Sequence, residues 1–283
     1  MHPIFLIGAA RSGTKLLRDL LAKHPDIDKV TYDVNFVWRL GNEKLTHDEL
    51  TPDLLSAEIK NWIINSMEKY HMSGHFLVEK TVSNCLRVPF VQAIYPEAKY
   101  IYLYRDGYDV IESAYRQWLA PPDPGYIIKK AMTFPIIDAF EYALSYAWSS
   151  IGKLIFRYRD RVGSWGPRYR GIDEDLATKD ILEVCAIQWS VSVKKASQGF
   201  SNVPPDCVFS ISYEDFVRAP QKYLYSIANF IGIDPTFFIE TIDVSHVSQR
   251  NIGKGKLNLT AEQIDLVQPY IDSKRIIKSS QYI

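Results

Sequence analysis

Two glycines frame small, hydroxyl-bearing and basic residues in Gly8-Ala9-Ala10-Arg11-Ser12-Gly13-Thr14-Lys15. The apolar run Ile4-Phe5-Leu6-Ile7 precedes them, and Leu16, Leu17, Leu20 and Leu21 follow at helical spacing, which predicts strand, turn and helix. Such a turn aims several backbone N–H groups and a helix N-terminus at one point, a site for a phosphate or another tetrahedral anion. Against the nucleotide-binding pattern G-x-x-x-x-G-K-[ST], Gly8 and Gly13 fit, but Thr14-Lys15 reverses the last two positions. A kinase or NTPase needs that hydroxyl on its magnesium, so the reversal argues against one. A tight turn that binds nothing is the plainer alternative, yet Arg11 and Lys15 at one helix mouth are costly neighbours without an anion.

Three further groups fall where strands should end. Phe76-Leu77-Val78-Glu79 delivers Lys80-Thr81-Val82-Ser83-Asn84, and Lys99-Tyr100-Ile101-Tyr102-Leu103-Tyr104 delivers Arg105-Asp106-Gly107. A helix bearing Val110, Ile111, Ala114 and Trp118 follows, with Ser113 about two turns beyond Arg105. Cys207 to Ser212 reads as another strand, leading into Tyr213-Glu214-Asp215-Phe216 and a helix through Phe230. In a parallel α/β sheet these C-terminal edges are where ligands sit. Near the end, Arg250-Asn251-Ile252-Gly253-Lys254-Gly255-Lys256 reads as a flexible basic loop whose backbone suits a phosphate.

The elements that must position these groups are helices at 13–23, stopped by His24-Pro25-Asp26, then from Thr51 as N-cap with Pro52 first, and at 84–95 and 175–197. A last helix opens with a Thr260/Gln263 capping box and a Leu259–Ile264 staple. Residues 27–45 read as irregular, either one wall of a substrate cleft or a lid over apolar core. Pro121-Pro122-Asp123-Pro124-Gly125 opens an insert over 119–170 in which Arg157, Arg159, Arg161, Arg168 and Arg170 form either a solvated basic face or an acceptor site. The expected fold is α/β, in a single domain 1–283.

Composition narrows the function classes. The 283 residues are 47% hydrophobic and 23% charged, the make-up of a soluble globular protein. Thirty-three basic residues balance 33 acidic ones, so neither nucleic acid nor an anionic membrane is drawn by bulk charge, and any anion site is local. Cys85, Cys185 and Cys207 are widely spaced and fit a reducing compartment. Without a leader pattern or an apolar run of about 20 residues, the expected setting is cytoplasmic, with no stable membrane insertion. Oligomeric state is left open. No metal-ligand spacing occurs, and His71 and His75 lack the glutamate of a zinc-protease pattern.

Together the motifs resemble, in order, those of the sulfotransferases that use 3′-phosphoadenosine 5′-phosphosulfate. Gly8 to Thr14 is similar to their 5′-phosphosulfate loop, and Arg105 to Ser113 to their 3′-phosphate motif. Glu79-Lys80-Thr81 resembles the lysine segment between them, Ile211 to Asp215 the later strand-end Tyr-Glu, and Gly253 to Lys256 the C-terminal basic loop. The resemblance implies that Arg11, Ser12, Gly13, Thr14 and Lys15 hold the 5′-phosphate and that Arg105 and Ser113 hold the 3′-phosphate with Lys254 or Lys256. It makes Trp189 and Tyr213 candidate adenine contacts, and the fold it implies is α/β, three layers αβα with a mostly parallel central sheet, P-loop NTPase-like.

By similarity to the tyrosylprotein branch, Lys80 neutralises the bridging oxygen as the bond to sulfur breaks, with Lys15 a second candidate for the catalytic cation. Asp33 is the candidate base, in the segment where that branch carries a glutamate, and Glu79 and His75 stand behind it. The implied reaction moves a sulfuryl group to a hydroxyl or amine acceptor, possibly carbohydrate or glycolipid, without metal. The rival readings are a P-loop kinase or other nucleoside phosphate enzyme and a non-catalytic nucleotide-binding module.

Overall fold

Side chains alternate along the first strand, β1 (His2–Ile7): Phe5 and Ile7 enter one apolar cluster, Ile4 and Leu6 another. A strand apolar on both faces needs helices on both sides and neighbours on both edges. In the computed structural model, which describes residues 1–120 and 165–272, β1 lies at the centre of a five-stranded, wholly parallel sheet. In chain order α1 (Thr14–Leu21), β2 (Ile27–Lys29), α2 (Asn35–Trp38), α3 (Ala57–Glu68), β3 (Phe76–Glu79) and α4 (Val88–Ile94) follow. Then come β4 (Lys99–Tyr104), α5 (Gly107–Leu119), α6 (Ile172–Thr178), α7 (Ile181–Phe200) and β5 (Val208–Ser212). The chain ends with α8 (Tyr213–Arg218), α9 (Pro220–Ile231), α10 (Thr236–Glu240), α11 (Lys254–Asn258) and α12 (Ala261–Asp272). The strand order is β2-β3-β1-β4-β5.

Helices α2, α3, α4 and α7 cover the Phe5 face through Trp38, Ile63, Phe90 and Val184, while α1, α8 and α9 cover the Ile4 face through Leu17, Phe216 and Ile227. The three-layer α/β arrangement is therefore present. Contacts divide the chain into Met1–Tyr115 with Gly166–Ile283, which contains the sheet, and Arg116–Trp165. The Pro121–Gly125 break, Arg157, Arg159, Arg161 and most of the expected 119–170 insert lie outside the described residues.

Several elements differ from the sequence expectation. The stretch 27–45 contains β2, whose Ile27-Asp28-Lys29 has no apolar run and forms by pairing with β3. Pro52–Leu54 is a separate 3-10 turn, Leu55 is extended, and α3 starts after Ser56, whose Oγ accepts from the Ile59 N–H at 3.1 Å. The span 84–95 is a 3-10 turn, Val82–Leu86, followed by α4. The span 175–197 holds parts of two helices, the second restarted by Asp180, whose Oδ1 accepts from the Leu182 N–H at 2.7 Å. Residues 213–230 also break, at Ala219, before Pro220 opens α9. The capping box is as expected, with Thr260 N donating to Gln263 and Gln263 N to Thr260 Oγ.

Candidate active site

Because the strands are parallel and in register, Phe5 opposite Glu79, Ile7 opposite Tyr102 and Tyr104 opposite Ser212, the residues that follow leave one edge of the sheet side by side. Gly8, Lys80, Arg105 and Tyr213 share that edge. The β1–α1 turn closes with the Ser12 N–H donating to Ala9 O at 3.1 Å. A Cβ on Gly8 would stand 2.5 Å from Leu103 O, and one on Gly13 2.5 Å from the Tyr213 ring, so both glycines are required by close approach. Arg11 takes φ 71°, the only non-glycine residue with positive φ among those described. Ser12 Oγ is buried and has no hydrogen-bond partner among the described residues.

Arg105 links the separate motifs. Its guanidinium lies 4.3 Å from the Tyr213 ring centroid, donates to Arg11 O at 2.9 Å and to Asn251 O at 2.6 Å, and stands 3.6 Å from Asp109. Its Nε is buried and meets no acceptor among the described residues. Ser113, on the inner face of α5, accepts from Arg11 Nε at 2.9 Å. Glu214 accepts from the Asp106 N–H at 3.0 Å and ties the end of β5 to the end of β4. Trp189 packs against Gly107, where a Cβ would fall 2.4 Å from its ring. Arg11, Gly13, Arg105, Ser113, Tyr213 and Trp189 are thus gathered, with Thr14 buried at the start of α1.

The basic segment is not a free loop. Gln249–Asn251 is a 3-10 turn and Lys254 begins α11. Asp109 takes the Gly253 N–H at 2.9 Å on Oδ2 and the Gly255 N–H at 2.7 Å on Oδ1. Asn258 donates to Glu112 at 3.0 Å, and Lys256 Nζ lies 4.8 Å from the Tyr108 ring centroid.

On the other side of β1, Lys80 Nζ is 3.8 Å from Asp33 Oδ2. Burial draws the Lys80 amine below the ordinary lysine range, and the Asp33 and Glu79 charges oppose that shift. The Asp33 carboxylate is held by the Asn35 N–H on Oδ1 at 3.2 Å and the Val82 N–H on Oδ2 at 3.0 Å. Glu79 points the other way, into the core: Asn84 donates to its Oε2 at 3.0 Å, and burial pushes its pKa up to about 7.

Lys15 and His75 stand apart from this group. Lys15 is exposed and reaches along α1 to Asp19 at 2.9 Å; against the cost of burial, Lys15 and Arg18 hold that carboxyl down at about 2. His75 precedes β3 at the opposite edge of the sheet, 3.4 Å from Asp26.

Behind Lys80 and Asp33 lies a buried network that no motif signals. Asp48 accepts from Asn35 Nδ2 at 3.0 Å, Arg39 Nη1 at 2.9 Å, Ser83 Oγ at 2.8 Å and the Arg168 N–H at 2.9 Å. Arg87, fully buried, donates from Nε to Asn84 at 2.8 Å and from Nη2 to Asn35 at 2.6 Å. Burial would raise the Asp48 pKa, but the Arg87 charge and these donors outweigh it and hold the group below the aspartate range. Arg170 N donates to Glu49 at 2.9 Å, so Arg168 and Arg170 are bound to the core by Asp48-Glu49. The available signal was weak: Asn35 and Arg87 are polar residues between apolar ones, and Asp48 lies in a polar run that gives no sign of burial.

No group of three His, Cys, Asp or Glu among the described residues is placed to hold a metal ion, and no described helix is long and apolar enough to cross a membrane.

Residues 3–134 match the model described as "Sulfotransferase family". Protein-tyrosine sulfotransferase 1 of Danio rerio is 29% identical over 118 residues, 38% of this chain and 33% of that protein. A Caenorhabditis briggsae relative is 28% identical over 236 residues, 81% of this chain and 65% of that one. The chain therefore spans a third to just under two thirds of these curated relatives. Among solved structures, the sulfotransferase domain of the Synechococcus PCC 7002 olefin synthase superposes with a TM-score of 0.52 at 18% identity, over 95% of this chain and 94% of that one, a likeness of fold.

Proposed function

We propose, from the match of residues 3–134 to the sulfotransferase family model, that this chain is a member of that family and moves a sulfuryl group from 3′-phosphoadenosine 5′-phosphosulfate to a hydroxyl or amine acceptor. The observation that carries the donor assignment is Arg105, stacked on Tyr213 and bonded to the Arg11 carbonyl, beside the Arg11–Ser113 pair. Two separate anion-binding elements, the β1–α1 turn and the start of α5, are thereby joined, as a ligand with phosphates at both ends of one nucleoside requires. The buried Ser12 Oγ and Arg105 Nε, each without a protein acceptor or donor among the described residues, fit a ligand rich in acceptor oxygens.

The donor supplies the sulfuryl group and its bisphosphate leaving group. The Gly13 and Thr14 N–H groups and the Ser12 hydroxyl hold the 5′ end, Arg105 and Ser113 hold the 3′-phosphate, and Tyr213 and Trp189 bound the adenine. Lys80 meets the charge that grows on the bridging oxygen, and its partly desolvated ammonium suits that task. Asp33, 3.8 Å from Lys80, accepts the acceptor's proton. Positioning and electrostatics dominate such a transfer, and the reversed Thr14-Lys15 accords with chemistry that uses no nucleotide-bound magnesium. The named relatives act on protein tyrosine by their description, so a tyrosyl peptide is the first acceptor to try, with carbohydrate and glycolipid next. The three free thiols support a reducing, cytoplasmic setting.

Calorimetric titration tests the donor site. Adenosine 3′,5′-bisphosphate is expected to bind, and Arg105→Ala to weaken it about 100-fold or more, since a desolvated charge-assisted contact contributes roughly 3 kcal/mol. Binding of ATP with magnesium, and none of the bisphosphate, would return the protein to the kinase reading.

A further inference from the structure

We propose that Asp109 is a positioning residue for the 3′-phosphate end of the site: its buried carboxylate is an internal anion that folds the basic segment 249–258 onto α5 and orients Arg105. The inference rests on the donor reading above and deepens it.

Both Asp109 oxygens are taken. Gly253 N donates to one and Gly255 N to the other, while Arg105 Nη2 lies 3.6 Å away and the carboxylate side chain has no exposed surface. A carboxylate buried beside a phosphate site opposes the ligand by charge repulsion, so its presence there needs another return. That return is order. Residues 251, 253 and 255, every second residue of the segment, are each fixed to the start of α5, Asn251 by its carbonyl to Arg105 and the two glycines by their N–H groups to Asp109. Gly255 sits so close that a Cβ there would stand 2.1 Å from the Tyr108 carbonyl carbon. The glycines therefore serve the docking of the segment. Their N–H groups are occupied by the protein's own carboxylate, and what remains for the ligand's 3′-phosphate is the side chains of Lys254 and Lys256 beside an Arg105 already aimed.

An asparagine at this position has nearly the same size but one acceptor and one NH2 group, so it cannot accept from both glycine N–H groups, and one is left buried and unpaired. The test is the ratio of two affinities measured by calorimetry, for adenosine 3′,5′-bisphosphate and for adenosine 5′-monophosphate, which lacks the 3′-phosphate. In Asp109→Asn the bisphosphate should weaken about 10- to 100-fold while the monophosphate stays within about two-fold. An unchanged ratio, or equal weakening of both ligands as a general loosening would give, overturns the proposal. Should Asp109→Asn not fold, the surface double variant Lys254→Ala, Lys256→Ala decides. It is expected to narrow the preference for the bisphosphate, which Arg105 and Ser113 alone then carry, and an unchanged preference refutes the docked segment's role. Failure of the donor reading itself shows separately, as a wild-type protein that binds neither nucleotide.

Discussion

Asp109 and Asp48 are both buried aspartates that gather donors from distant segments, yet they leave opposite residues of charge around them. Asp109 binds two backbone N–H groups and stands only within 3.6 Å of Arg105, whose guanidinium keeps a face against Tyr213 and an Nε without a protein acceptor among the described residues. Asp48 is surrounded by Asn35, Arg39, Ser83 and the Arg168 N–H, with Arg87 close enough to lower its pKa and itself fully buried. The first centre is the one to which the proposed function assigns the donor's 3′-phosphate. The second is tied to protein side chains and backbone, with Arg87 Nη1 buried and without a partner among the described residues, and holds the 33–35 turn against the 81–84 turn, where Val34 N donates to Thr81 and Val82 N to Asp33. In the proposed function the first centre serves binding, and the second belongs to the frame that keeps Lys80 beside Asp33.

The contrast breaks most sharply at the enclosed centre. Asp48→Leu leaves Arg39 without its carboxylate and removes the charge that most offsets the buried Arg87, and should lower stability by about 3–5 kcal/mol in urea or thermal unfolding. Adding Arg87→Met should restore part of it by removing the buried cation. Bisphosphate affinity of the folded protein should stay unchanged in both, and a parallel loss of affinity would erase the distinction drawn here.

Lys80→Ala is the next largest expected effect. Slow release of the bisphosphate from the donor, read by chromatography, should fall about 100- to 1,000-fold with donor affinity nearly intact. A loss confined to affinity would move Lys80 to the binding side of the comparison. Glu79 then sharpens the enclosed side by pH. Its folded pKa of about 7 lies above the ordinary 4.5, so the folded protein holds this proton where the unfolded chain has released it. That contribution is full below pH 4.5 and is lost as the pH rises towards 7, an effect of roughly 3 kcal/mol. Glu79→Gln should flatten the stability profile across that window. The smallest effect belongs to Lys15→Ala, an exposed i,i+4 pair with Asp19: stability should move by at most about 0.5 kcal/mol and bisphosphate affinity by less than about three-fold.

The strand-end groups around the presented centre were legible in the sequence and the enclosed centre was not, for a physical reason. Parallel strands must release their following residues at one edge, so recognising β1, β3, β4 and β5 was enough to bring Gly8, Lys80, Arg105 and Tyr213 together. Asp48, Asn35 and Arg87 meet through side chains of residues 13 to 52 positions apart, and no period or turn pattern marks such pairs. The same limit hid β2, whose three residues become a strand only beside β3, and Asp109, which reads locally as an ordinary first-turn acid of α5. At Thr51 a local signal was present but lost to a better one, because Ser56 caps the helix after the Pro52–Leu54 turn has ended.

The exchange between Asp48 and Arg168 also bears on the path of the chain. Asp48 N donates to Arg168 O at 2.7 Å, Arg168 N returns a bond to the Asp48 carboxylate, and Arg170 N repeats the attachment at Glu49. The backbone is thereby reset against the sheet-bearing unit just before α6. Arg168 and Arg170 thus fix where the chain rejoins the unit that carries the sheet, and α7, Trp189 and β5 follow from that point.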